Sequence, residues 1–65
     1  MATIKHAEIK RLRKAKGLTQ QELADKCCVT QSYINKVERG KTIPTIPFLH
    51  DLGKIFEIDY KTLLQ

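Results

Sequence analysis

Cys27, Cys28, His6 and His50 are the side chains of this sequence best suited to metal ligation or cross-linking, and their spacing argues against both. Adjacent cysteines rarely close a relaxed intrachain bridge, so a disulfide scaffold is excluded. Zinc ligands come as spaced pairs that converge on a tetrahedron, which two neighbouring thiols and two isolated histidines do not supply. No metal and no other cofactor is expected. A different chemistry is offered by the polar cluster Gln31, Ser32, Tyr33, Asn35 and Lys36. A glutamine amide can pair with adenine N6 and N7 in the major groove, a serine hydroxyl can donate or accept, and a lysine one turn later can reach guanine O6 or N7. Gln31, Ser32 and Lys36 fit those three roles. Tyr33 ranks behind them, with a thymine methyl or a phosphate as its partner, and Asn35 lies on the same half with the nucleic-acid backbone in reach. The ordinary alternative for Gln31, Ser32, Asn35 and Lys36 is a solvated helix face.

These side chains act together only if a helix presents them. With three glycines and two prolines in 65 residues, the boundaries must be read largely from capping residues. A first helix runs from Ile4 or Lys5 to Lys16, with Ile9, Leu12 and Ala15 or Lys16 on one stripe, and Gly17 stops it. Thr19-Gln20-Gln21-Glu22 has the form of a capping box. It opens a second helix from Gln20 to about Cys27, whose inner face is Leu23, Ala24 and Cys27. Thr30 caps a third from Gln31 to about Glu38, with Ile34 and Val37 turned inward and Gly40 beyond its end. Lys41 to Pro44 is a loop. Thr45 caps a fourth helix, in which Pro47 is tolerated because first-turn amides have no intrahelical acceptor. Its buried face is Phe48, Leu49, Leu52, Ile55 and Phe56. Asp59 caps a last short helical turn, Tyr60 to Leu64. The stretch Ile43 to Leu49 is apolar enough for a strand, but its two prolines forbid a ladder. The expectation is an all-α chain of five short helices forming one domain over residues 1–65.

Twelve Lys and Arg against seven Asp and Glu give a net charge of +5 and a pI near 9.5. A chain of this size buries only roughly 60% of its unfolded surface. A metabolite cleft would consume its core, so an enzyme is not expected. No apolar run approaches the ~18 residues of a membrane span, and the basic, amphipathic first sixteen residues lack the apolar stretch of a secretory signal. A cytoplasmic protein without a membrane partner is expected. The run Lys10, Arg11, Arg13, Lys14 and Lys16 cannot all face one ligand from a helix, so it counts as long-range steering.

Two short helices joined by about three residues, the second polar at its N-terminal end, match a helix-turn-helix. The run Leu18-Thr19-Gln20-Gln21-Glu22-Leu23-Ala24, then Val29-Thr30-Gln31, then Ile34-Asn35-Lys36-Val37-Glu38-Arg39-Gly40, resembles the phage repressor and Cro family, also called Xre. Ile9, Leu12 and Arg13 upstream and Pro44, Leu49, Leu52 and Ile58 downstream extend the resemblance over nearly the whole chain. It implies a five-helix repressor-like DNA-binding domain whose third helix enters the major groove of double-stranded DNA. Gln20 would grip phosphate and brace the first reading residue. Arg39, the Gly40 amide, Lys41 and Thr42 would form a second phosphate clamp, and Arg13 and Glu38 a partly buried bridge. Gln21 has no such counterpart and reads as a solvating residue. Where the family usually has glycine between the second and third helices, this chain has Cys28.

The implied activity is transcriptional regulation, most simply a repressor on a palindromic operator. Antitoxins and restriction-modification controllers use the same module, with a protein partner in the antitoxin case. A protein-interaction domain with little DNA affinity is the reading from another class, and the +5 charge opposes it. One recognition helix reads too few base pairs for useful specificity, so a homodimer is expected, weak in solution and strengthened on DNA. Its contact surface is placed at Phe56, Ile58, Tyr60, Leu63 and Leu64, which exceed the obvious needs of one small core.

Overall fold

The computed structural model describes residues 4–64; residues 1–3 and 65, which the one-domain assignment includes, lie outside the described residues. The chain forms α1 (His6–Ala15), α2 (Gln20–Cys27), α3 (Gln31–Glu38) and α4 (Ile46–Phe56), then a 3₁₀ turn over Tyr60–Leu63. Three threonines start helices as the sequence requires. Thr19 Oγ1 accepts from the Glu22 amide at 3.0 Å, and the Glu22 carboxylate accepts from the Thr19 amide at 2.8 Å. Those bonds hold the Glu22 carboxyl below its usual range. Thr30 and Thr45 accept from the amides of Tyr33 and Phe48 at 3.1 and 3.3 Å.

Two ends differ from expectation. α1 begins at His6 because the preceding chain is extended: Ile4 bridges Leu64 in antiparallel fashion, and the Lys5 amide donates to the Leu63 carbonyl at 2.9 Å. The fifth element is a 3₁₀ turn, leaving four α-helices. Its Thr62 amide donates back to Asp59, three residues earlier, at 2.9 Å, and the chain is extended again by Leu64. Four residues ending in an extended pairing have no room for an α-helical turn.

All four α-helices close in the same way, with a left-handed residue and a pair of back-bonds that satisfy carbonyls of the last turn. Gly17 and Gly40 do this at φ +72° and +71°, Cys28 and Glu57 at φ +57° and +59°. The longer bonds run from Leu18 to Arg13, Val29 to Ala24, Lys41 to Lys36 and Ile58 to Gly53, at 2.9–3.1 Å. Gly53 is needed where α4 meets its own continuation. A β-carbon there would lie 2.9 Å from the Ile58 carbonyl and 3.2 Å from Tyr60, so the close approach is that of the terminal turn rather than another helix.

Every element contributes to one core, centred on Ile9, Leu23, Ile34, Val37, Leu49, Leu52 and Leu63. Ile55, assigned to the buried face of α4, is only half-buried. Cys27 is 7% exposed, and burial first, then Asp51 and Cys28, push its thiol up to about 11. It is an unreactive packing residue; Cys28 is exposed.

Between α1 and α3 the core contains an ion pair. Arg13 is 7% exposed and Glu38 5%. Arg13 Nε donates to Glu38 Oε2 at 2.6 Å and Nη2 to Oε1 at 3.2 Å, while Nη1 donates to the Leu18 carbonyl at 2.8 Å. Gln20 Nε2, at the start of α2, donates to the same carboxylate at 3.1 Å. Three helices thus meet on one carboxylate.

Replacing Arg13 by Met leaves Glu38 buried and short of its partner, a loss of about 3–5 kcal/mol. Against the roughly 3–10 kcal/mol available to a domain this small, most of the stability goes. Urea unfolding of Arg13→Met should show this, and an additional Glu38→Leu should recover much of it. Cys28→Gly tests the second helix end: relief of about 1–2 kcal/mol of left-handed strain, less about 0.4–1 kcal/mol of added unfolded-state entropy. The net is about 0–1.6 kcal/mol in favour of the variant, so the urea midpoint should hold or rise at unchanged m-value.

Candidate nucleic-acid interface

α3 is a short rod with one face spent on the core. Ile34, Val37 and Glu38 are buried, Gln31, Ser32 and Lys36 are exposed, and Tyr33 and Asn35 lie between. That division follows from 3.6 residues per turn. Thr30 engages the Tyr33 amide, while the first-turn amides of Gln31 and Ser32 have no acceptor within the helix. The positive end of the helix therefore lies where the two short polar side chains emerge. α2 packs on α3 behind this end, and Cys28, Val29 and Thr30 connect them.

The expected readers are brought together, but not on equal terms. Tyr33 sets its ring edge-on against Phe48 of α4, with centroids 5.2 Å apart and planes at 84°. Its first task is to join α3 to α4, which narrows any contact with a base or phosphate to the part of the ring facing outward. Asn35 is half-buried.

Beyond α3, Arg39, Gly40 and Lys41 are exposed and Thr42 is half-buried, forming one continuous edge. Two backbone amides of this edge are engaged within the fold. The Gly40 amide donates to the Val37 carbonyl at 3.1 Å, and the Lys41 amide to Lys36 at 2.9 Å. Both are consumed in closing the helix, so this edge offers a ligand its side chains, with Gly40 supplying the turn. Gln20 is half-buried and spends one amide proton on Glu38. Next along the loop, Ile43 and Ile46 are 74% and 48% exposed. Charge on this edge ends at Lys41.

One neighbour of this edge was not legible in the sequence. His6, the first residue of α1, lies over Gly40, so that a β-carbon there would meet its imidazole at 3.1–3.2 Å. At 34 positions apart in the sequence, no periodic signal links the two. The basic run of α1 is partly consumed within the fold. Arg13 is buried, Arg11 pairs with Glu8 and lowers that carboxyl's pKa, and Lys16 pairs with Glu57 at 2.9 Å, lowering its pKa too. Lys10 and Lys14 are exposed. Gln21 donates to Asp25 at 2.9 Å, a bond along its own helix.

The surface assigned to self-association also shrinks. Phe56 and Leu63 are 4% and 0% exposed and belong to the core, because the terminal turn folds back across α4. Ile58, Tyr60 and Leu64 remain half-buried, and the Tyr60 ring packs on His50 with centroids 4.0 Å apart. Among the described residues no helix is long and apolar enough to cross a membrane.

Known proteins share this arrangement. The transcriptional regulator SinR of Bacillus subtilis is 40% identical over 58 residues, covering 88% of this chain and 52% of SinR. A crystal structure of SinR in complex with DNA superposes with a TM-score of 0.81 at 37% identity, covering 89% of this chain and 94% of that one. The restriction-modification controller protein C.AhdI from Aeromonas hydrophila matches at TM-score 0.82 and 31% identity, covering 89% and 88%. The P22 c2 repressor in complex with a synthetic operator matches at TM-score 0.88 and 25% identity, covering 97% and 96%. The chain spans about half the length of SinR. The family model HTH_3, described as helix-turn-helix, matches residues 9–63, and with that share of the sequence covered the chain belongs to the helix-turn-helix family of Cro/C1 type.

Proposed function

We propose that this chain is a sequence-specific reader of double-stranded DNA in a cytoplasmic transcriptional regulator, most simply a repressor, with α3 in the major groove. The observation that carries this is the outward end of α3. Gln31, Ser32 and Lys36 protrude from a helix whose opposite face is locked into the core. A base-edge contact is worth about 1–3 kcal/mol only when the side chain is held in register, and this end is so held. The side chains of Arg39, Lys41 and Thr42 then supply the sequence-independent part of binding, fixing register against the backbone. SinR and the P22 c2 repressor are seen with DNA on the same fold, which supports the assignment.

We take the active form to be a homodimer on a palindromic site, weak in solution and assembled on DNA. Ile58, Tyr60 and Leu64 are the surface left for its two-fold contact. Sedimentation that finds monomer at high concentration, and again on operator DNA, refutes it.

Selection from a random duplex pool at about 0.15 M salt tests the main reading. An enriched palindrome with half-sites about 34–36 Å apart is the expected result. No enrichment, together with capture of a protein partner, favours an interaction domain instead. Gln31→Ala should cost about 1–3 kcal/mol on the selected site and relax preference at one base position, while random DNA binds as before. Lys41→Ala should weaken cognate and random duplexes alike and reduce the slope of log K against log salt by about one.

A further inference from the structure

We propose that His6 is a further phosphate-contacting residue, whose imidazole takes up a proton as the duplex backbone settles on the edge after α3. The inference rests on the DNA-binding reading and extends it to pH.

His6 opens α1, far in sequence from the recognition helix, yet its ring covers the α-carbon of Gly40. A β-carbon at position 40 would stand 3.1–3.2 Å from the ring atoms, a tight contact that the imidazole would have to relieve by shifting, so the glycine serves the left-handed turn and also leaves room for the ring. His6 as a whole is exposed. It therefore lies on the same edge as Arg39 and Lys41, the two exposed cations that flank Gly40 in the chain. On its own element the nearest charges in sequence are Lys5 and Lys10, both exposed, and Glu8, whose carboxylate is engaged by Arg11. The carboxylate at the end of α3, Glu38, is buried against Arg13. From the terminal turn, which packs on α1, the charged groups are Asp59, whose carboxylate accepts from the Lys61 amide, and the Lys61 ammonium. No acid on these elements is free to pair with a charged imidazole.

Histidine is the side chain whose charge changes near neutrality. A phosphate brought to the same edge supplies an adjacent opposite charge, which favours the protonated form. Binding then raises the pKa of His6. The sign follows from linkage: the extra affinity is fully present below the free-state pKa and is lost as pH rises through the bound-state pKa. A rise of one unit gives at most about tenfold. The effect is independent of sequence, because phosphate is the partner.

The test uses the whole chain and a mixed-sequence duplex of about two helical turns at about 50 mM salt, where non-specific binding is measurable. Affinity is measured from about pH 8 to pH 6, across the titration range of histidine. The wild type should bind several-fold more tightly at the acid end, His6→Gln should lose most of that gain, and His50→Gln should keep it. The His6 imidazole resonances, titrated with and without the duplex, should show the pKa higher in the complex. An equal pH dependence in His6→Gln, or an unmoved His6 titration with DNA bound, overturns the assignment while leaving DNA binding intact. Failure of the wild type to bind any duplex at either pH overturns both readings.

Discussion

The fold depends on one carboxylate. Glu38 closes the recognition helix at its C-terminal end and receives Arg13 from α1 and Gln20 from α2. Apolar burial alone would hold these helices together, because it is large and non-directional, but for the same reason it would leave their rotation about the core loosely set. Hydrogen bonds from a planar guanidinium are directional. The pair therefore fixes the rotation of α3, and with it the direction in which Gln31 and Ser32 leave the protein two turns away. Two buried charges are a poor source of stability, since desolvation offsets most of their attraction. The gain is in specificity of arrangement. A helix of eight residues anchored at one end by charge and along one face by Ile34 and Val37 presents its other end at a defined angle.

The second constraint is length. In so short a chain the helices must stop abruptly for the next to pack, and each stops at a left-handed residue. Where glycine stands, at Gly17 and Gly40, that conformation has little steric cost. At Cys28 and Glu57 the fold accepts about 1–2 kcal/mol each for the same geometry. Cys28 is the more consequential of the two, because it sets the angle between α2 and α3. Gly40 shows the other side of this economy. Its amide is consumed in closing α3, so the edge beyond it offers side chains rather than a backbone donor.

The elements were legible because their signals are local. Three threonine caps and a capping box lie within a few residues of the helices they start, and the apolar stripes of α2, α3 and α4 follow from spacing alone. The Arg13–Glu38 pair was reached only through family resemblance, since neither residue type nor spacing singles it out over 25 positions. What could not be read is what depends on the chain meeting itself. The pairing of Ile4 with Leu64 delays the start of α1 and leaves the last segment too little chain for an α-helical turn. That same fold-back buries Phe56 and Leu63, which composition alone made look surplus. Gln20 and the Gly40 amide were assigned to phosphate by family resemblance. The internal partners that occupy them become visible only in three dimensions, as does the approach of His6 to Gly40.

The loss of Phe56 and Leu63 to the core bears on how two copies would meet. Ile58, Tyr60 and Leu64 are half-buried already, and a stable interface needs roughly 800 Å² from each partner. These three side chains fall well short of that. The monomer measures 30 × 23 × 19 Å, and successive half-sites on one face of the duplex are about 34–36 Å apart. Even with its longest axis along the duplex, a copy centred on each half-site would reach no further than the edge of its neighbour, so a contact between two such copies would be small. In the homodimer proposed above, a small contact would suffice because the duplex, holding both copies at a fixed spacing, would convert the second encounter from a bimolecular event into a local one. The energy that a larger interface would have supplied in solution would then come from the phosphates beneath each copy, and dimerisation and operator recognition would be one equilibrium.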